Sequence, residues 1–211
     1  MIRPENYKQY SIFLLWLMHA SAFIGIKLGY ADFFLPLSAI NLWFISLLLI
    51  WYYPIRNKNE VLLFAAIAIL GFAAEAIGVA TGKVFGEYAY GRNLGFKILE
   101  VPVIIGVNWA VLSFTSSGIA NRIPVNSIYI KAAIASLLML IFDFFIEQSA
   151  PVFDFWEFEL PEVPLQNYIT WFVLAYIFNY AVLKLISDAD AKICIHIYIV
   201  QILFFTLFYV F

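Results

Sequence analysis

Residues 71–102 of the chain read GFAAEAIGVATGKVFGEYAYGRNLGFKILEVP, and the rest of the sequence is organised around them. The stretch begins inside a hydrophobic segment that carries one acid, Glu75, and leaves that segment at Thr81 and Gly82. It then runs through a loop of glycines, aromatic residues and charges before the next hydrophobic segment begins near Glu100. An acid inside lipid and a charged loop at the membrane surface are both costly. We therefore expect the function to require them.

The composition indicates an integral, helical membrane protein. Of the 211 residues, 64% are hydrophobic and 12% are charged, whereas soluble domains carry about 25% charged residues. The mean hydropathy is +0.92. The apolar runs are continuous rather than alternating, which excludes a β-barrel. The expected fold is an all-α polytopic membrane bundle that forms a single domain over residues 1–211, without a cleavable signal peptide.

Seven apolar runs are long enough to cross a bilayer core, which takes about 20 residues of helix. They cover roughly residues 10–29, 33–53, 61–81, 101–119, 128–148, 168–186 and 193–211. A short turn around residues 30–32 predicts that the first two spans are antiparallel neighbours. Prolines in the loop at 149–167 exclude a long helix there.

The distribution of Lys and Arg predicts the orientation in the membrane. Seven spans put the termini on opposite sides, and eight of the 12 Lys and Arg fall on the side of the N-terminus. These eight are Arg3, Lys8, Arg56, Lys58, Arg122, Lys131, Lys184 and Lys192, against Lys27, Lys83, Arg92 and Lys97 on the other side. We therefore expect a cytoplasmic N-terminus, an outer face formed by the loops 82–100 and 149–167, and a location in the bacterial inner membrane.

Three acids inside the spans are the candidate catalytic residues. Glu75 lies between Gly71 and Gly78, and small residues mark helix faces that pack against other helices. Asp143 and Glu147 are four residues apart and therefore share one helix face. Two carboxylates so close in a low dielectric do not both ionise readily, so one is expected to keep its proton and serve as a Brønsted acid. The alternative is pairing with the cations of the first outer loop, Lys83, Arg92 and Lys97.

Polar and aromatic residues near the outer face are candidates for binding substrate. This set consists of Tyr88, Tyr90, Asn108, Trp109, Trp156, Asn167 and Trp171. Taken singly, tyrosines and tryptophans at this depth are more often interface anchors. Converging on one pocket, their aromatic faces would stabilise a carbocation by cation–π attraction.

Other polar residues favour structural roles. His19, Asn41, Asn179 and His196 are isolated within spans, which favours hydrogen bonds between helices over metal ligation. The single cysteine, Cys194, excludes an intrachain disulfide framework and a Cys-based zinc site. The sequence contains no phosphate-binding loop, dinucleotide motif, nucleophile elbow or zinc-protease motif. We therefore expect no cofactor, no metal and no nucleic-acid partner.

Two blocks of the sequence resemble a family of integral-membrane carotenoid biosynthesis proteins, the γ-carotene 1′,2′-hydratases and bisanhydrobacterioruberin hydratases. The first block is Glu75-x-x-Gly78-x-x-Thr81-Gly82-x-x-Phe85-Gly86-x-Tyr88-x-Tyr90, followed by Leu94-Gly95, Val101-Pro102 and Trp109. The second is Asp143-x-x-x-Glu147, Ala150-Pro151, Trp156, Val163-Pro164, Asn167 and Trp171. The resemblance covers roughly residues 70–172, and it departs from the expected pattern at Gln148, where many relatives are expected to have a proline.

The resemblance implies addition of water to the terminal C1′=C2′ double bond of an acyclic carotenoid ψ-end, which gives a tertiary alcohol. A carboxylic acid would give a proton to C2′, and a carboxylate would activate the water that traps the cation at C1′. Our working assignment takes the donor from the pair Asp143 and Glu147 and the base from Glu75. The substrate would be γ-carotene or a lycopene-like polyene held between helices in the lipid bilayer, and the reaction needs no cofactor.

Two alternatives stay open on the sequence. A membrane lycopene cyclase also protonates a terminal alkene with intramembrane acids, but it lets the cation close on its own chain, so the mass of the product separates the two reactions. A proton-coupled transporter or a non-catalytic carotenoid-binding protein belongs to another class. Transporters usually show inverted repeats and helices broken at the midplane, and no repeat is evident here.

Overall fold

The computed structural model describes residues 5–53, 55, 57–186 and 189–211. Arg3 and Arg56, which contribute to the charge asymmetry, lie outside these residues. Within the described residues, seven helices are long and apolar enough to cross a membrane. The predicted all-α membrane bundle is therefore confirmed, and the protein is an integral membrane protein.

The helices follow the predicted apolar runs closely. They are α1 (Glu5–Lys27), α2 (Ala31–Phe34), α3 (Ser38–Tyr52), α4 (Lys58–Thr81), α5 (Val103–Ala120), α6 (Ile128–Glu147), α7 (Leu165–Leu185) and α8 (Ala191–Val210). Helix α1 begins five residues before its predicted start at residue 10. The second span consists of α2, a 3₁₀ turn at Leu35–Leu37, and α3. Pro36 within this turn has no backbone N–H to continue an α-helical ladder, which accounts for the interruption.

The two ends of α4 are capped, which fixes the position of Glu75 along the helix. At its start, the Asn57 side chain accepts from the Glu60 backbone N–H at 3.1 Å, and the Glu60 carboxylate accepts from the Asn57 N–H at 3.2 Å. These reciprocal bonds form a capping box. At its end, Gly82 adopts the left-handed conformation, with φ of 65°, which glycine reaches without steric cost. Glu75 therefore lies fewer than two turns before the C-terminal end of the helix.

Helix α5 is the centre of the bundle. Of its most apolar 18-residue window, 78% is buried, against 17–33% for the other six spans. It packs against α3, α4, α6, α7 and α8. Its small residues, among them Ser113, Ser117 and Gly118, are buried and allow close approach of neighbouring helices. Side chains on the outer end of α5 consequently face several helices at once.

The isolated polar residues join helices, as predicted. His19 Nε2 lies 3.2 Å from Asn41 Nδ2, which links α1 to α3. Trp16 Nε1 donates to His196 Nδ1 at 3.1 Å, which links α1 to α8. Asn179 Oδ1 accepts from a serine hydroxyl of α5 at 2.7 Å. Such bonds pair polar groups that would otherwise be unsatisfied in lipid.

A short sheet joins the two long outer loops. Strand β1 (Tyr88–Tyr90) pairs antiparallel with β4 (Trp156–Phe158), and Tyr90 is opposite Trp156. A second pair, β2 (Lys97–Ile98) with β3 (Val101–Pro102), precedes α5. Glu100 lies in the turn of this hairpin with a φ of 62°, so the helix begins three residues after the expected start near Glu100. The helix starts only at Val103 because the two residues before it are held in the hairpin.

Gly71 allows α4 and α5 to approach each other. A Cβ atom at this position would lie 2.6 Å from both Cβ and Cγ of Trp109, and these atoms are too close to the backbone to swing away. We expect Gly71→Val to destabilise the fold by about 1–3 kcal/mol through overpacking, seen as a lower thermal midpoint of the protein in detergent. Ala80→Val, at an exposed position of the same helix, should leave the midpoint unchanged. Equal midpoints for both variants would contradict this account of the contact.

Candidate active site

Glu75 receives hydrogen bonds from three aromatic side chains. Its Oε2 accepts from the hydroxyls of Tyr88 and Tyr90, the latter at 2.9 Å. Its Oε1 accepts from Trp109 Nε1 at 2.9 Å. The side chain is 4% exposed, and these bonds offset the cost of burying a carboxyl group. The prediction that Glu75 points into the bundle is confirmed.

All three partners of Glu75 act as donors. Burial, reinforced by the nearby Glu75, raises the pKa of both tyrosine hydroxyls, so both keep their protons. An indole N–H can only donate. Three groups that donate to one carboxyl group suit its ionised form, because hydrogen bonds to a charged acceptor are stronger than those to a neutral one.

Asn167 joins the two acids of α6. Its Nδ2 lies 3.1 Å from Asp143 Oδ2 and 3.3 Å from Glu147 Oε1, which confirms that both acids lie on one helix face. Glu147 Oε2 also accepts from Trp156 Nε1 at 2.8 Å. Asp143 is fully buried, and its Oδ1 has no hydrogen-bond partner among the described residues. The two acids therefore differ, since both oxygens of Glu147 are bonded and one oxygen of Asp143 is not.

The structure brings all the predicted site residues to one cavity of about 30 Å³. These residues are Glu75, Tyr88, Tyr90, Asn108, Trp109, Asp143, Glu147, Trp156, Asn167 and Trp171. Trp109 and Trp171 are stacked, with ring centroids 3.9 Å apart. The cavity has room for one or two water molecules. The catalytic and substrate-binding roles of these residues stay predictions.

The apolar residues of the cavity were not predicted from the sequence; they are Phe85, Ile105, Phe142, Ile146 and Phe158. Phe85 lies within the first block of resemblance, so its position there could have identified it as a site residue. The aliphatic residues carry no such signal, because an isoleucine that faces a cavity and one that faces lipid look alike in a hydrophobic run.

The alternative pairing of the acids with cations of the first outer loop is not observed. Arg92 Nε lies 2.9 Å from Asp154 Oδ2, and Lys97 Nζ donates to the Tyr90 backbone carbonyl at 2.5 Å. In the part of the chain that the structure describes, no lysine or arginine pairs with Glu75, Asp143 or Glu147. The same part contains no group of three His, Cys, Asp or Glu placed to hold a metal ion. The acids are therefore held by neutral donors.

Comparisons with known proteins found a matching family and a similar protein. The family described as "Carotenoid biosynthesis protein" matches residues 36–211. The bisanhydrobacterioruberin hydratase of Haloarcula japonica is 27% identical over 128 residues, which are 56% of this chain and 43% of that relative. The matched part therefore spans less than half the length of the relative. No solved structure matches the chain. Because the family match covers most of the sequence, the chain belongs to the family of carotenoid biosynthesis proteins.

Proposed function

We propose that the protein is a carotenoid hydratase, which adds water to the terminal C1′=C2′ double bond of an acyclic ψ-end. The observation that carries this proposal is a pair of dissimilar acids facing one small cavity. Asp143 has an oxygen without a partner among the described residues, whereas Glu75 is surrounded by donors. Acid-catalysed hydration needs one group that gives a proton and another that accepts one. The name of the Haloarcula japonica relative also supports a hydratase.

The first step is transfer of a proton to the alkene. Asp143, in its acid form, gives a proton to C2′ as the π bond breaks, and a tertiary cation forms at C1′. Trp109 and Trp171 line the cavity, and an aromatic face within about 6 Å stabilises such a cation. Water exclusion by the buried walls strengthens that attraction, because charge interactions are stronger in a low dielectric.

The second step is capture of the cation by water. The water oxygen bonds to C1′, and its proton passes to Glu75, which gives the neutral tertiary alcohol. Of the four lone-pair sites of the Glu75 carboxylate, three accept hydrogen bonds and one remains for the water. Asn108 Oδ1 has no partner among the described residues and its side chain lines the cavity, so it would accept the second hydrogen of that water. Return of one proton from Glu75 to Asp143 restores the site, and the reaction consumes no net proton.

The proposed function is tested by the mass of the product. When the gene is expressed in a bacterium that makes lycopene or γ-carotene, we expect extracted pigments heavier by one water. Incubation of membranes that contain the protein with preformed, unlabelled substrate in deuterated water should place one deuterium on carbon, at C2′, because the catalytic acid exchanges with solvent. The polyene absorption should stay almost unchanged, since the reacting bond is outside the conjugated system.

Cells that carry an empty vector provide the control. Unchanged pigments across several ψ-end substrates, in cells whose membranes contain the protein, would contradict the proposed function. A new product of unchanged mass would instead show cyclisation, because ring closure adds no atoms.

A further inference from the structure

A larger cavity lies beside the candidate active site. Its volume is about 250 Å³, and α1, α3, α5, α6 and α8 contribute side chains to it. Most of its walls are apolar, with Ile26, Ile45 and Phe205 among them. The two steps of the proposed reaction assign no role to this cavity.

The larger cavity and the acidic cavity share one wall. The residues that line both are Ile105, Asn108, Phe142, Ile146 and Trp156. The same side chains therefore face the acids on one side and the apolar space on the other. A ligand in the larger cavity would need to displace only these side chains to reach Asp143.

The larger cavity also opens at the surface of the bundle. Three of its lining residues are exposed: Ser21 on α1, Leu37 in the 3₁₀ turn and Ile40 on α3. Ile40 is 61% exposed. Because both flanking segments cross the membrane, this surface faces lipid. The opening between α1 and α3 therefore connects the cavity with the bilayer.

Besides Asn108 in the shared wall, two polar residues that line this cavity have hydrogen-bonding atoms without a partner among the described residues. Gln201 is 3% exposed, and its Nε2 has no partner among the described residues. His19 Nδ1 lies 2.8 Å from the Leu15 carbonyl, to which it must donate, so its Nε2 accepts from Asn41 Nδ2. That network leaves Asn41 Oδ1 without a partner in the part of the chain that the structure describes. Voids left by imperfect packing are few, and those that stay empty are apolar, whereas ligand sites combine apolar walls with a few polar groups.

We propose that this cavity binds the hydrocarbon arm of the substrate, which comes from the bilayer between α1 and α3. The arm places its terminal double bond against the acids across the shared wall. The identity of the ligand rests on the proposed function. A carotenoid is about as long as the ~30 Å bilayer core is thick, so only its reacting arm fits inside. The distal part stays in lipid, outside the opening.

A bulky side chain at the cavity tests this proposal. Ala22 lines the cavity, whereas Ala20, two residues earlier on α1, is exposed and is not part of its lining. Each variant is purified in mild detergent from carotenoid-producing cells, and bound pigment per protein is read from the absorption spectrum. We expect Ala22→Trp to carry about tenfold less pigment than the unsubstituted protein. Ala20→Trp should carry the unsubstituted amount.

A second measurement blocks the opening after the protein has folded. Cys194 is buried, so a bulky maleimide should label an introduced Ser21→Cys selectively. Labelled Ser21→Cys should take up about tenfold less carotenoid from lipid vesicles than the same protein unlabelled, and labelled Ala20→Cys should show no such loss. The labelling measurement decides the outcome if Ala22→Trp does not fold.

Pigment binding is independent of turnover, so the inference and the proposed function fail separately. Binding that is lost in the blocked variants supports the cavity even if no hydrated product forms. Full uptake by labelled Ser21→Cys, equal loss in the Ala20 controls, or an unsubstituted protein that binds no carotenoid would each overturn the cavity assignment.

Discussion

Glu75→Gln is expected to lower the rate of hydration by about 10²–10⁴-fold, the usual contribution of a general base. An amide of the same size cannot take the proton that water gives up on attacking C1′. The substitution should still fold, because tyrosine hydroxyls can accept from the new NH₂ group while Trp109 Nε1 continues to donate to the remaining oxygen. The measurement is hydrated product formed per amount of protein in the membrane.

Glu87→Gln is the matched control, because it makes the same chemical change at an exposed position of the same stretch. It should keep the unsubstituted rate. Tyr88 and Tyr90 hold Glu75 through their hydroxyls, so a purely structural role for Glu75 would show as a lower thermal midpoint with an unchanged rate. Full activity of Glu75→Gln would show that another group accepts the proton.

Local sequence signals were enough to predict most of the fold and the inward direction of the acids. A continuous apolar run can satisfy its backbone in lipid only as a helix, which is why the spans were found with small errors at their ends. Gly71 and Gly78 flank Glu75 on one helix face, and that spacing correctly predicted its burial. The four-residue spacing of Asp143 and Glu147 correctly predicted that they share one helix face, where Asn167 reaches both.

Contacts between distant segments could not be predicted in the same way. Strands β1 and β4 have three residues each, too few to show a reliable alternating pattern, and the two spans α5 and α6 separate them in the sequence. Their pairing places Tyr90 opposite Trp156, and these side chains bond to Glu75 and Glu147 respectively. The apolar cavity was equally hidden, because an empty space between helices leaves no periodic trace in any one helix.

Asp143 and Glu147 differ in their hydrogen bonds, and this difference also arises from tertiary contacts. The sequence shows two carboxyl groups on one face and gives no reason to prefer either as the acid. In the folded chain, both Glu147 oxygens accept from neighbouring N–H groups. Asp143 Oδ1 has no such partner among the described residues. A proton on that oxygen would be available to a substrate, which favours Asp143 as the donor.

Asp143→Asn is therefore expected to reduce hydration by about 10²–10⁴-fold and to cost more activity than Glu147→Gln. The asparagine can still accept from Asn167 through its carbonyl oxygen, but it has no acidic proton to give to C2′. The rates of both variants are compared with that of Asp154→Asn, which makes the same change at an exposed ion pair with Arg92, where such pairs contribute little. The unsubstituted enzyme should also slow in deuterated water, since proton transfer to carbon forms the cation.

The donor is the acid whose substitution, Asp143→Asn or Glu147→Gln, causes the larger loss of activity. If Glu147→Gln were inactive and Asp143→Asn retained most of its activity, the proton would have to come from Glu147, and Asn167 would serve to align it. If both variants kept their activity while Glu75→Gln lost it, neither acid of α6 would be required. Glu75 would then have to supply the proton itself, although its three donors favour the ionised form. Only a loss concentrated at Asp143 agrees with the unpaired oxygen that the structure shows.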